Sequence, residues 1–244
     1  MLRSLHRCYF EEHTFVAATH THESILAASN DNFVHLDIQT LHPSVHKRST
    51  SEGLVGVDAA SSAHRFMSCT ESGVVSLLDL RSKNCEAIAS PPGSESLPRP
   101  VNFTCCAIEH TSRYLCAGTD NVEDCSFSRK RQKLDVDEPR AHILVWDARR
   151  LSQPLAILSD VHSDCVTHLS FDNTSRLLSS SEDGLVCISD VTVPADDALL
   201  QVFNAEAPVK YCGWLSPAKV VDSGVYSLSN MQLKFQCWPW VPPE

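Results

Sequence analysis

This chain predicts an all-β fold of repeated four-stranded blades, a β-propeller, on three observations. The first is a recurring phrase: a short apolar strand, a Ser/Thr-rich turn, a second apolar strand, then an Asp followed by an aliphatic residue. It reads ILAASNDNFVHLDI from Ile25, RFMSCTESGVVSLLDLR from Arg65 and RLLSSSEDGLVCISDV from Arg176, with a split copy in RYLCAGTDN from Arg113 and AHILVWDARR from Ala141. The second is spacing. The closing acids are Asp37, Asp79, Asp147 and Asp190, and two of the three intervals are about 42 residues, inside the roughly 40–45 residue period of one propeller blade. The third is alternation: Val75 and Leu77, and again Val186 and Ile188, share one face, while Ser76 and Cys187 fall on the other, which is the period of a strand. A unit this small cannot bury its own apolar faces, so copies must stack.

Taken in order, the repeats end near residues 38, 80, 147, 191 and 238, within a single domain over 1–244. The turns carry matching chemistry. Ser72-Gly73 and Asp183-Gly184 stand between strands, where Gly accepts positive φ and Ser or Asp can bond the local backbone. The third copy is split by NVEDCSFSRKRQKLDVDEPR, a charged insertion over 121–140 expected to project as a loop. The acidic pair Asp196-Asp197 is read as a solvated connection between blades.

Composition bounds the function. With 43% hydrophobic and 20% charged residues in 244, the chain can bury a core and lacks the signature of disorder. No apolar run approaches the roughly 18 residues of a membrane span, and the opening MLRSLHRCYFEEH has no apolar core of signal-peptide length. The expectation is an intracellular protein, nuclear or cytoplasmic. The eleven cysteines are odd in number and contain no C-x-x-C pair, as expected of reduced, buried small hydrophobes. A net charge of −10 argues against nucleic acid as the main partner.

The repeats resemble the WD repeat family. The name-giving dipeptide stands at Trp146-Asp147 in HILVWDAR, and His162 opens HSDCVTHLSF ahead of the fourth copy. The resemblance implies a hydrogen-bonded set within a blade, here His162, Ser179 and Asp183; the Trp position of that blade is Ser189, and Leu78 takes it in the second. A His beside an Asp could also suggest proton transfer, but no nucleophile accompanies it and scaffold positions favour a structural role. From about Tyr114 to Trp214 the order of segments, ending in ADDALLQVFNAEAPVKYCGW, carries a closer resemblance to one animal member of the family. The family usually builds seven blades. This chain reaches a fifth repeat, KVVDSGVYSLSNMQLKFQCW, then Pro239, Trp240 and a Pro-rich tail. The expectation is a propeller incomplete at its C-terminus, a shortened form rather than a five-bladed ring, because Pro cannot continue a strand ladder.

Function is read at three levels. The leading expectation is a non-enzymatic scaffold that binds proteins, with no cofactor, metal or catalytic residue assigned. The second is a substrate receptor: Trp146-Asp147-Ala148-Arg149 fits the W-D-x-R ending by which some family members dock onto the adaptor of cullin-RING ubiquitin ligases, and Asp79-Leu80-Arg81 echoes it. Arg149 and Arg81 would make charge-assisted contacts there, against an ordinary blade-end Arg as the plain reading. The third is a truncated product without independent function. Arg129, Lys130, Arg131 and Lys133 fit a short nuclear-import signal, a solvated basic run being the alternative. His20 and His22, and His42 and His46, lack further ligands at metal-site spacing and are read as surface residues.

Overall fold

The computed structural model describes residues 15–21, 23–40, 42–47, 53–61, 64–81, 86–89, 101–121, 141–215, 224–229 and 234–240. Each repeat becomes a meander of adjacent antiparallel strands, most of them joined by short turns of hairpin length. The first sheet is β1 (Ala17–His20), β2 (Ser24–Ala28), β3 (Asn32–Asp37) and β4 (Pro43–Lys47). The second is β5 (Leu54–Ala59), β6 (Arg65–Thr70), β7 (Val75–Asp79) and β8 (Glu86–Ala89). The third is β9 (Phe103–Ile108), β10 (Tyr114–Thr119), β11 (Ala141–Asp147) and β12 (Ala156–His162). The fourth is β13 (Val166–Phe171), β14 (Arg176–Ser181), β15 (Leu185–Asp190) and β16 (Leu199–Asn204), and the fifth is β17 (Val209–Leu215), β18 (Gly224–Ser229) and β19 (Phe235–Pro239). The fold is a β-propeller built of such blades.

Two turns hold the positive φ that their sequence asks for. Gly73 has φ 85° and Gly184 φ 83°, and a Cβ at Gly73 would stand 2.6 Å from the carbonyl oxygen of Val101 in the next blade. Only Gly satisfies both demands.

Apolar side chains meet between sheets. One cluster joins the first and second sheets through Leu26, Phe33, Leu54 and Phe66. A second joins the second and third through Met67, Phe103 and Trp146, and a third joins the third and fourth through Ile143, Val166 and Leu177. The fourth joins the last two sheets through Leu178, Val209 and Trp240. Stacking therefore supplies the burial that no single sheet could.

The first strands of successive sheets lie side by side, and polar ties cross between them. Thr104 Oγ1 donates to the carbonyl of Val166, and Thr167 Oγ1 to that of Val209 at 2.8 Å. Asp58 on β5 reaches both ways: its carboxylate accepts from Thr19 Oγ1 on β1 at 3.4 Å and from the backbone N–H of Ile108 on β9 at 2.9 Å. Six of the described cysteines, Cys69, Cys105, Cys106, Cys116, Cys187 and Cys212, are buried free thiols, while Cys165 is half-buried and Cys237 exposed. Burial pushes the Cys105 thiol above the ordinary range and those of Cys187 and Cys212 up to about 12, so they pack rather than react.

Two expectations need correcting. Pro239 does take a ladder position, pairing with Gly224 as the last residue of β19. It is tolerated because β19 is the outer strand of its sheet, with no further neighbour among the described residues to need a donor there, and Trp240 beyond it is buried against the fourth sheet at 3% exposure. The Asp196-Asp197 pair forms a single 3₁₀ turn, Ala195–Asp197, between β15 and β16. It connects strands within one blade, not two blades.

Candidate functional site

The closing Asp of each repeat has a local task. Asp37 Oδ1 accepts the backbone N–H groups of Gln39 and Thr40 at 2.9 and 2.8 Å. Asp79, Asp147 and Asp190 accept those of Arg81, Arg149 and Thr192 at 3.0, 2.9 and 2.8 Å. Each ends its third strand in the same side-chain turn, which is why the residue recurs while its neighbours vary.

His162 ends β12 in the third sheet yet bonds into the fourth. Its Nδ1 lies 3.1 Å from Asp183 Oδ2 and its Nε2 2.8 Å from Ser179 Oγ. A carboxylate can only accept, so Nδ1 donates to it. Asp183 also accepts the N–H groups of Ser163 and Leu185 at 3.0 and 2.8 Å. Burial pushes the Asp183 carboxyl up, but its hydrogen bond and charge interaction with His162 and the two backbone bonds outweigh this and hold it below the usual carboxylate value. His162 and Ser179 are 3% and 1% exposed. With every partner taken inside the blade, the set can brace two sheets but offers no open position to a substrate.

Trp146 lies in the neighbouring blade, fully buried, with its ring edge-on to Phe103 at 6.0 Å and 89°. Its indole Nε1 has no hydrogen-bond partner among the described residues, and neither does Ser189 Oγ. The register explains this. Leu115 pairs with Trp146 as Leu177 pairs with Ser189, so Ala117 stands where Ser179 stands one blade on. One blade has the Trp without the hydroxyl; the next has the hydroxyl, His and Asp without the Trp. Ala117→Ser is expected to supply the missing acceptor and to raise stability by about 1 kcal/mol, read as a higher urea midpoint with unchanged slope.

The two D-x-R arginines differ. Arg81 forks onto its own Asp79, with Nε 3.0 Å from Oδ1 and Nη2 2.7 Å from Oδ2, and this side-chain bond holds the Asp79 carboxyl well below the usual range. The Arg149 guanidinium has no acidic partner among the described residues; only its backbone N–H is bonded to Asp147. His20 and His42 lie at the surface, His46 is half-buried, and His22 falls outside the described residues. So do Arg129, Lys130, Arg131 and Lys133, all but the first residue of the 121–140 insertion, and the last four residues of the chain. The insertion separates β10 from β11, whose pairing begins at Gly118 and Ile143.

The arginines that open the second strands, Arg65 and Arg113, bind the closing acids. Arg65 is paired across the sheet with Asp79, its Nε 3.5 Å from Oδ2. Arg113, just before β10, places Nε 3.7 Å from Asp147 Oδ2. An Arg at the head of one strand facing the Asp at the end of the next was the available signal.

No protein-family model matches the chain. It is similar to an uncharacterized WD repeat-containing protein, C63.06, of Schizosaccharomyces pombe, 26% identical over 190 residues, 74% of this chain and 51% of that protein. It is 38% identical over 95 residues to an uncharacterized WD repeat-containing protein of Saccharomyces cerevisiae, YNL035C, covering 38% of this chain and 23% of that one. It is 24% identical over 174 residues to WD repeat-containing protein GTS1 of Arabidopsis thaliana, 70% of this chain and 38% of that protein. These relatives support the WD repeat family at modest identity, and the chain spans about half of their length or less.

Proposed function

We propose that this WD-repeat β-propeller is a non-enzymatic scaffold whose turns and rim hold protein partners together. The observation that carries this reading is the enclosure of His162, Ser179 and Asp183, a grouping of catalytic residue types, as a brace between two sheets. What remains exposed is turn and edge surface of the kind that recognises other proteins. Proximity labelling with the 244-residue chain in cells is the test. A reproducible set of partners beyond chaperones and proteasome supports the reading; recovery of only those two classes overturns it, as does an intrinsic turnover by the purified protein.

The stretch from Tyr114 to Trp214 resembles WD repeat-containing protein 89 and its animal homologues, and on that basis we place the protein near it within the family. A second reading, substrate receptor of a cullin-RING ligase, is favoured by one observation: among the described residues the Arg149 guanidinium has no acidic partner, whereas Arg81 is captured. Arg149→Ala should then lose the ligase adaptor from the labelled set, and its undiminished recovery rejects the receptor. Nuclear import through Arg129, Lys130, Arg131 and Lys133 is checked by neutralising all four. A tagged chain should move from nucleus to cytoplasm, and an unchanged distribution removes the signal.

A further inference from the structure

We propose that the cleft between the second and third blades is a binding site for an acidic protein segment, with the side-chain carboxylates of the partner held by Arg65, Arg113 and Arg149. The cleft measures about 540 Å³ and is lined by these three arginines together with Leu77, Ala148 and Asp79. It lies where the second strands begin and the third strands end, so two blades contribute charge to one opening.

The charge balance points to an anionic ligand. Asp79 is consumed by the Arg81 fork, and the contacts of Arg65 to Asp79 and Arg113 to Asp147, at 3.5 and 3.7 Å, are long single approaches. Among the described residues the guanidinium planes of Arg65 and Arg113 thus keep unused donors, and Arg149 keeps all of its own. Glu109 behind the turn adds no competing surface. It is 1% exposed, and its oxygens accept from the Thr111 backbone at 3.0 Å and from Ser175 Oγ at 3.3 Å, and meet His110 Nδ1 at 2.6 Å. Bidentate donors in a partly enclosed site match carboxylates in geometry as well as sign.

The same surroundings select among anions. A polyanion track needs a continuous basic surface, whereas here the arginines are interleaved with Asp79 and Asp147 and the whole chain carries −10, which disfavours nucleic acid. Leu77 and Ala148 give the cleft apolar lining on which a side chain between two acids can rest. The ligand that fits is a short acidic stretch of protein with an apolar residue among its carboxylates. This inference rests on the scaffold reading and names one of its docking points.

The test is fluorescence anisotropy of the 244-residue chain with a labelled Asp-Glu-Leu-Asp-Glu peptide and its amide counterpart, Asn-Gln-Leu-Asn-Gln. The acidic peptide should bind and the amide should not, with binding falling as salt rises. Arg65→Gln and Arg113→Gln should each weaken it about tenfold, while Arg113→Lys recovers part of the loss. Neither residue belongs to the W-D-x-R motif, so an effect at these two positions separates the cleft from motif docking. Equal binding of the two peptides, displacement by poly-uridine in preference to the acidic peptide, or full affinity in a folded Arg113→Gln variant overturns the proposal. Where a variant does not fold, a photoreactive leucine in the acidic peptide decides on the unaltered chain: crosslinks at Leu77 or Ala148 support the site, and crosslinks elsewhere overturn it. Absence of cleft binding with the cellular partner set intact would remove the cleft and leave the scaffold standing.

Discussion

Trp146→Ala is expected to lower unfolding stability by about 3–5 kcal/mol, the range for removing a large buried aromatic. The indole is fully buried, meets Phe103 edge-on, and belongs to the cluster that holds the second and third blades together. Domains of this kind have about 5–15 kcal/mol in total, so the variant should be mostly soluble-expression-deficient or unfolded at modest urea. A second substitution separates packing from hydrogen bonding. Trp146→Phe retains much of the apolar area but removes an N–H with no partner among the described residues, whose burial itself costs about 1–3 kcal/mol. The two effects oppose, and Phe should cost about 1 kcal/mol or less. Chemical denaturation of the three chains checks this. An Ala variant with the midpoint of the wild type would show that the second and third blades are not held by this cluster.

What could be read from residues was what local geometry dictates. A Gly in a tight hairpin, an Asp closing a strand, and Val or Leu at alternate positions each state their conformation within a few residues. The positive φ at Gly73 and Gly184 and the side-chain turns at Asp37, Asp79, Asp147 and Asp190 follow. The fourth strands were not legible. Pro43–Lys47 is almost wholly exposed and Leu199–Asn204 largely so, because an outer strand has little to cover it and needs no apolar alternation. The arginine cleft was hidden for another reason: Arg65 and Arg113 are 48 positions apart and meet only when blades stack. The repeat pattern puts His162 with the blade that it bonds, although its backbone belongs to the sheet before. Sequence order cannot distinguish a residue that ends one blade from a residue that opens the next.

Asp58 shows how far such a tie can escape a linear reading, and it supports the second large prediction. In LVGVDAA it looks like a charge interrupting an apolar strand. In the fold it joins three blades, accepting from Thr19, from its neighbour Ala59 at 2.8 Å and from Ile108. Enclosure of the carboxylate raises its pKa from 3.8 to about 6, against the opposing effect of those three hydrogen bonds. A raised carboxyl pKa means that the folded state holds its proton more tightly than the unfolded chain does. Stability linked to Asp58 is therefore fully present below about pH 4, declines as pH rises to about 6, and stays low at neutral pH. The shift corresponds to about 2–3 kcal/mol at 1.36 kcal/mol per unit; with the residue as a whole half-buried, about 2 kcal/mol is the expected size. Asp58→Asn cannot ionise and keeps an acceptor for Ile108, so it isolates this contribution from carboxyls such as Asp79 and Asp183, which shift in the opposite direction. The wild type should gain about 2 kcal/mol relative to Asp58→Asn between pH 7 and pH 4. Urea midpoints of both chains across that range measure the difference, and a constant gap would show that the Asp58 carboxylate stays solvated and that other contacts hold the three blades in place.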